Sequence, residues 1–153
     1  MKKNVAGGAL LALGLLATSL LESSPAAAGV SCHKIAAKGV GQDLGGGVTQ
    51  ARITGGGLLT GTTAGSFAIT GFTPPSLTSI AGTVTFTVNR ATLVVTVTGT
   101  FDVASGAFNA SGPVTGATGK LAGATGSLSL AGIQDLTTGS FAVSYTHLTL
   151  PTN

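Results

Sequence analysis

Thr83-Val84-Thr85-Phe86-Thr87-Val88 alternates a hydroxyl-bearing side chain with an apolar one at every step. Leu93-Val94-Val95-Thr96-Val97-Thr98-Gly99-Thr100-Phe101 carries the pattern onward. A period of two puts Val84, Phe86 and Val88 on one face of a strand, and Val95, Val97 and Phe101 on the matching face of the next. Gly99 interrupts the second run at a point where a kink, a bulge or a close backbone approach is expected. Asn89-Arg90-Ala91 between the runs is short enough for a hairpin turn. β-Branched Val and Thr suit such strands because their side chains pack well on a pleated surface.

Outward from this hairpin the chain repeats itself. Gly99-Thr100-Phe101-Asp102-Val103-Ala104-Ser105-Gly106-Ala107-Phe108 matches Gly132-Ile133-Gln134-Asp135-Leu136-Thr137-Thr138-Gly139-Ser140-Phe141 in the frame G-x-x-D-[VL]-x-[ST]-G-x-F. A paired-carboxylate reading of Asp102 and Asp135 would suit glycoside chemistry. A turn explains more: the Asp accepts from backbone N–H groups at its start, the Gly takes a positive φ at its end, and the Phe re-enters the core. Further strands are predicted at Val30–Lys38, Val48–Thr54, Leu58–Thr62, Ser66–Thr70, Phe108–Val114 and Ser127–Gln134. Turns are predicted at Gly39–Gly47, Gly55–Gly57, Gly71–Ser79 and Thr115–Gly126. Of 25 glycines, all but Gly7, Gly8 and Gly14 lie at or beyond Gly29, and glycine costs about 1 kcal/mol per helix-interior position relative to alanine. Short strands in sequential hairpins make the expected fold all-β: an antiparallel up-and-down barrel of about eight strands when complete, with a β-sandwich as the alternative.

The two ends of the chain read differently from its middle. Lys2 and Lys3 precede an uncharged Ala- and Leu-rich run from Val5 to Leu21, then Pro25 and Ala26-Ala27-Ala28. These are the three regions of a secretory signal peptide, residues 1–28, with cleavage expected before Gly29. The run is short of the ~20 residues of a spanning helix. The product is therefore expected to be secreted or periplasmic, with no stable membrane insertion after cleavage. At the far end, Val143 to Thr152 can be back-translated in one frame to GTC TCT TAT ACA CAT CTG ACG CTG CCG ACG. That matches the transposon mosaic end and adapter of sequencing libraries. Residues 143–153 are accordingly expected to be a non-native tail. The barrel domain, 29–141, is expected to be incomplete at its C-terminus, with its last one or two strands lost or replaced.

Between Gly29 and Phe141 stand five basic residues (Lys34, Lys38, Arg52, Arg90, Lys120) and three acidic ones (Asp43, Asp102, Asp135). So thin and scattered a positive charge is no footprint for nucleic acid. Metal-ligand spacing is absent. No catalytic residue and no cofactor is assigned. Asp43, in Val40-Gly41-Gln42-Asp43-Leu44-Gly45, is read first as a turn-stabilising residue and second as lining a barrel mouth.

Gly116-Ala117-Thr118-Gly119-Lys120-Leu121-Ala122-Gly123-Ala124-Thr125-Gly126 resembles the G-G-T-G-[KR]-[FY]-x-x-A-x-G signature of the allene oxide cyclase and dirigent barrel superfamily, including secreted bacterial relatives. Ala117 and Leu121 depart from that pattern. The resemblance implies an eight-stranded barrel with an apolar interior able to hold a small ligand, and it carries over no active site. The rival phosphate-binding loop needs Ser or Thr after the Lys and a helix behind it; Leu121 stands there instead. The single cysteine, Cys32, in an exported protein points to a missing partner. The bacterial relatives often end in a Cys, so the resemblance implies a disulfide from Cys32 to a residue lost from the C-terminus, with a buried free thiol as the alternative. Three functions follow: a module binding a small apolar ligand, a structural or interaction protein of the cell surface, and, last, an isomerase or cyclase like the plant relatives. Phe67, Phe72, Phe86, Phe101 and Phe108 are the expected inward aromatics, and Phe86, Phe101 and Asp43 the candidate ligand-binding residues. Oligomeric state is not readable.

Overall fold

The computed structural model describes the backbone of residues 32–151 and the side chains of 35–148. The signal-peptide reading of 1–28 and the side chain of Cys32 lie outside this range. Eight antiparallel strands form a closed barrel in sequence order: β1 (Cys32–Gly45), β2 (Val48–Gly55), β3 (Thr62–Thr73), β4 (Leu77–Val88), β5 (Ala91–Asp102), β6 (Ala107–Ala117), β7 (Thr125–Gln134) and β8 (Ser140–Pro151). Two 3-10 turns, Gly57–Leu59 and Gly119–Leu121, stand between β2 and β3 and between β6 and β7. The fold is the expected up-and-down barrel, not a sandwich.

The alternation sets the core. Val84, Phe86 and Val88 of β4 and Leu93, Val95 and Val97 of β5 are buried, paired in register as Val84↔Val95 and Phe86↔Leu93. The Thr residues between them point outward. Val88 pairs with Ala91 across a two-residue turn in which Asn89 takes a φ of 57°, the left-handed conformation that Asn tolerates better than most. Gly99 marks a close approach: a methyl there would run into the carbonyl of Asn109 and the Cα of Ala110 on β6.

Both copies of the repeat build the same hairpin. Asp102 accepts from Ala104 N–H at 2.9 Å and from Ser105 Oγ at 2.9 Å. Asp135 accepts from Thr137 N–H at 2.8 Å and Thr138 N–H at 3.3 Å. Gly106 and Gly139 have φ of 74° and 73°, and their N–H groups close the turns on the Asp102 and Asp135 carbonyls. Phe108 and Phe141 then stand on β6 and β8, either side of β7, with rings edge-on at 5.9 Å. Gly132 of β7 lies between them and carries no side chain to collide with the Phe108 ring.

One expectation takes concrete form and several others are corrected. The barrel is closed by Ser140–Pro151, mostly the segment read as foreign, which is β8, the replacement strand, and pairs with both β1 and β7. Its Val143 and Tyr145 alternate inward, and a residue of positive φ, His147, resets the phase so that Leu148 is buried too. Gly39–Gly47 is no turn, since β1 runs through Gly39 and Gly41 to Gly45. Those glycines face inward beneath the rings of Tyr145 and Phe141, so bareness, not flexibility, is their use. Leu58–Thr62 is not a strand: Gly57 has φ 54° and the 3-10 turn drives Leu59 into the core. Gly71 and Leu77–Ser79 belong to β3 and β4, leaving a short turn at 74–76. Phe72 shares the inner register with Thr78 and Phe101 but sits at the rim, past a register shift, and is 58% exposed.

Three outcomes test this account. Deleting residues 143–153 unpairs the facing edges of β1 and β7, so the shortened chain should show no cooperative thermal transition; a melt like that of the full chain would refute the role of β8. Gly99→Ala should destabilise the barrel by roughly 1–3 kcal/mol, the usual cost of overpacking. Gly55→Ala, with open space around it, should be near neutral by the same denaturant titration. The third concerns acid. Asp102 is held below the ordinary carboxylate range by hydrogen bonds from the Ser76 side chain, Ala104 N–H and Ser105, and Asp135 by the N–H groups of Thr137 and Thr138. A lowered folded pKa means that their contribution is complete above the unfolded value, about 4, and is lost as pH falls through the folded one. The wild type should therefore outlast an Asp102→Asn/Asp135→Asn variant in melts at neutral pH, and the margin should close in acid.

Candidate functional site

The two ends of the barrel differ. At one end the connections β2–β3 and β6–β7 fold inward. Leu59 and Leu121, each 1% exposed, plug the interior together with Ile53, Leu93, Leu128 and Leu148. The second plug is built by the Gly116–Gly126 segment. Gly119 and Gly123 take positive φ, and Thr118 ties the loop to β5 by accepting from Thr92 N–H at 3.0 Å while its own N–H donates to the Thr92 carbonyl at 2.8 Å. The motif thus plugs this end, with Leu121 as the inserted side chain.

At the other end the four hairpins β1–β2, β3–β4, β5–β6 and β7–β8 leave the interior open. A cavity of about 650 Å³ descends from that mouth, within the size range of small-molecule sites. Its walls are Phe67, Phe101, Phe108, Phe141, Leu130 and Ile80. Glycines on the inner face make the room: the Phe67 ring lies over Gly65, Phe108 over Gly132 and Phe141 over Gly41. Aromatic rings covering bare glycines are a known way to stabilise a curved sheet. Here they also leave the space a wall of Val or Leu would occupy.

The deep end of the cavity is polar at one point. Tyr145 Oη and Thr63 Oγ1 are 3.3 Å apart, with Tyr145 4% and Thr63 6% exposed. The Tyr145 ring meets Phe86 edge-on at 5.1 Å. Burial pushes the Tyr145 phenol above its ordinary pKa, with the Thr63 hydrogen bond acting weakly the other way; it is a neutral hydroxyl at any physiological pH.

At the mouth Asp43 accepts from Gly45 N–H at 2.8 Å and from Gln134 Nε2 at 3.1 Å. It therefore does both things read for it, stabilising the β1–β2 turn and lining the rim. Asp102 and Asp135 lie on neighbouring hairpins of the same end, whereas Lys38, Arg52, Arg90 and Lys120 all belong to the plugged half. Among the described residues no three His, Cys, Asp or Glu side chains converge as a metal site would need.

Of the three candidate ligand-binding residues, Phe101 and Asp43 line the cavity. Phe86 does not: it is fully buried beneath Tyr145 in the floor. Phe141, which the repeat returns to the core, lines the cavity too, and so do Val143 and Tyr145 of the segment read as a tail. Thr63 was missed because one Thr among many carries no mark of facing inward. The chain matches no protein-family model, no curated protein and no solved structure.

Proposed function

We propose that this protein is an exported barrel that encloses a small apolar ligand. The observation that carries the reading is the asymmetry of the interior: one end is sealed by Leu59 and Leu121, and the other opens into a cavity walled by four phenylalanines. An eight-stranded barrel is just wide enough either to fill itself or to hold one small molecule. The likeness of Gly116–Gly126 to the allene oxide cyclase and dirigent barrels points the same way, without implying their chemistry, since Asp43 is the one carboxylate among the residues lining the cavity. The leader-like residues 2–28 support export.

A second reading, an interaction protein of the cell surface, has one observation in its favour. Leu44, Val48, Ile69, Phe72, Leu77, Val103, Ile133 and Leu136 are all exposed, and all lie on the four hairpins around the open mouth. An apolar collar of this kind is a contact surface in its own right, and it equally suits the entry of an apolar ligand.

Nile red, a neutral lipophilic dye, should brighten on binding and be displaced by other small lipophiles. A lipophile at a hundredfold excess over its Kd stabilises a folded state by about 2.7 kcal/mol, which corresponds to a rise in melting temperature on the order of 10 °C for a domain of this size. No dye binding and no thermal shift with any of a panel of lipophiles would leave the collar reading as the better one.

A further inference from the structure

The proposal of an apolar ligand leaves open what stands at its outer end, and the mouth of the cavity narrows it. Resting on that reading, we infer that the ligand is an amphiphilic cation, with an apolar body inside the barrel and an ammonium-type head at the mouth against Asp43.

Asp43 is the charged residue of the cavity lining, and no Lys, Arg or His of the described residues lines the cavity with it. Its carboxylate is half-buried and held on the wall from three sides. Its own N–H donates to the Gly139 carbonyl at 2.9 Å. Its two oxygens accept from Gly45 N–H and from Gln134 Nε2. These neutral donors orient the group without cancelling its charge, and a carboxylate has about four lone-pair positions to fill. Taking an anion partly out of water costs free energy, and a neighbouring cation offsets that cost. A cationic head on the ligand supplies such a neighbour at the mouth.

An aromatic ring stands beside the same point. Asp43 and Gly41 share the inward face of β1, and the Phe141 ring lies over Gly41. Phe141 also pairs across β7 and β8 with Gln134, the residue that holds the carboxylate. Ring faces attract cations, and the attraction grows where water is thinned out. An ammonium at Asp43 therefore meets a carboxylate and a ring together, while its apolar body reaches past Phe67 and Phe101 into the cavity. None of these groups belongs to residues 143–153.

The wider field has the same sign. Asp102 and Asp135 lie on hairpins of the open end, whereas Lys38, Arg52, Arg90 and Lys120 belong to the plugged half. Such a potential draws cations to the entrance and turns anions away.

Three probes sharing one apolar body separate the possibilities: naphthylmethylamine, protonated at neutral pH, ethylnaphthalene and naphthoate, each measured by displacement of Nile red from the full chain. The ammonium should bind more tightly than naphthoate by on the order of tenfold. That ratio should fall about fivefold in Asp43→Asn, the upper end for a solvent-accessible ion pair, while ethylnaphthalene binds as before and so reports an intact cavity. Asp102→Asn, at a turn outside the cavity lining, should keep the wild-type ratio. Should Asp43→Asn not fold, salt decides on the wild type: the ratio should fall between about 10 mM and about 1 M, where screening shortens from about 30 to about 3 Å. Equal binding of ammonium and naphthoate, a ratio unmoved by Asp43→Asn or by salt, or an equal fall in Asp102→Asn would overturn the inference, and ethylnaphthalene binding would still leave the apolar-ligand reading in place. If none of the three probes binds, that broader reading fails as well.

Discussion

Closure of the sheet is the constraint on which everything else here depends. In a barrel each strand has two neighbours, so no row of backbone N–H and C=O groups is left facing solvent. The seam between β1 and β8 spans ten register pairs, from Cys32↔Pro151 to Gln42↔Ser140. Only because that seam is shut do the inward residues of all eight strands face one another across a common interior. Open it, and the plug, the cavity and its floor lose their opposite walls together.

Within that closed wall, glycine and phenylalanine divide the labour. Gly41, Gly65 and Gly132 present bare backbone to the interior, and Phe141, Phe67 and Phe108 lay rings over them. The same wall further down is Val, Leu and Ile, and there the interior is full. Side-chain size along the inner face therefore grades the barrel from a packed end to a hollow one. The repeated G-x-x-D-[VL]-x-[ST]-G-x-F unit sets this grading at the hollow end: its first glycine (Gly99 or Gly132) faces inward, its Asp and second Gly turn the chain, and its Phe returns to the wall.

The polar groups follow the same division. Hydroxyls that face outward link neighbouring segments across the surface: Thr92 of β5 with Thr118 of the loop after β6, and Thr96 of β5 with Thr115 of β6. The hydroxyls of Thr63 and Tyr145 face inward and meet each other across the barrel, from β3 to β8. The closest polar contact in the floor is thus between strands that are not neighbours in the sheet, an arrangement that exists only because the barrel is round.

The sequence by itself determined the class of fold and much of its local chemistry. Strict alternation in Thr83–Val88, carried on less regularly through Leu93–Phe101, settled which faces are buried, because a strand's side-chain period is a property of its own backbone. The Asp and Gly of each repeat settled the turns, because an Asp side chain reaches only the N–H groups two or three residues on. What only the tertiary structure decided depended on partners distant in the chain. Gly39 and Gly41 read as a turn until the rings of β8 were seen to lie over them. Leu59 and Leu121 read as strand and loop until they were found to plug the same end. Phe86 and Phe72, alike as inward aromatics, were separated into floor and rim by their height along the barrel axis. Thr63 and Tyr145 became a pair only when closure brought together residues 82 positions apart, a distance over which no local pattern carries information.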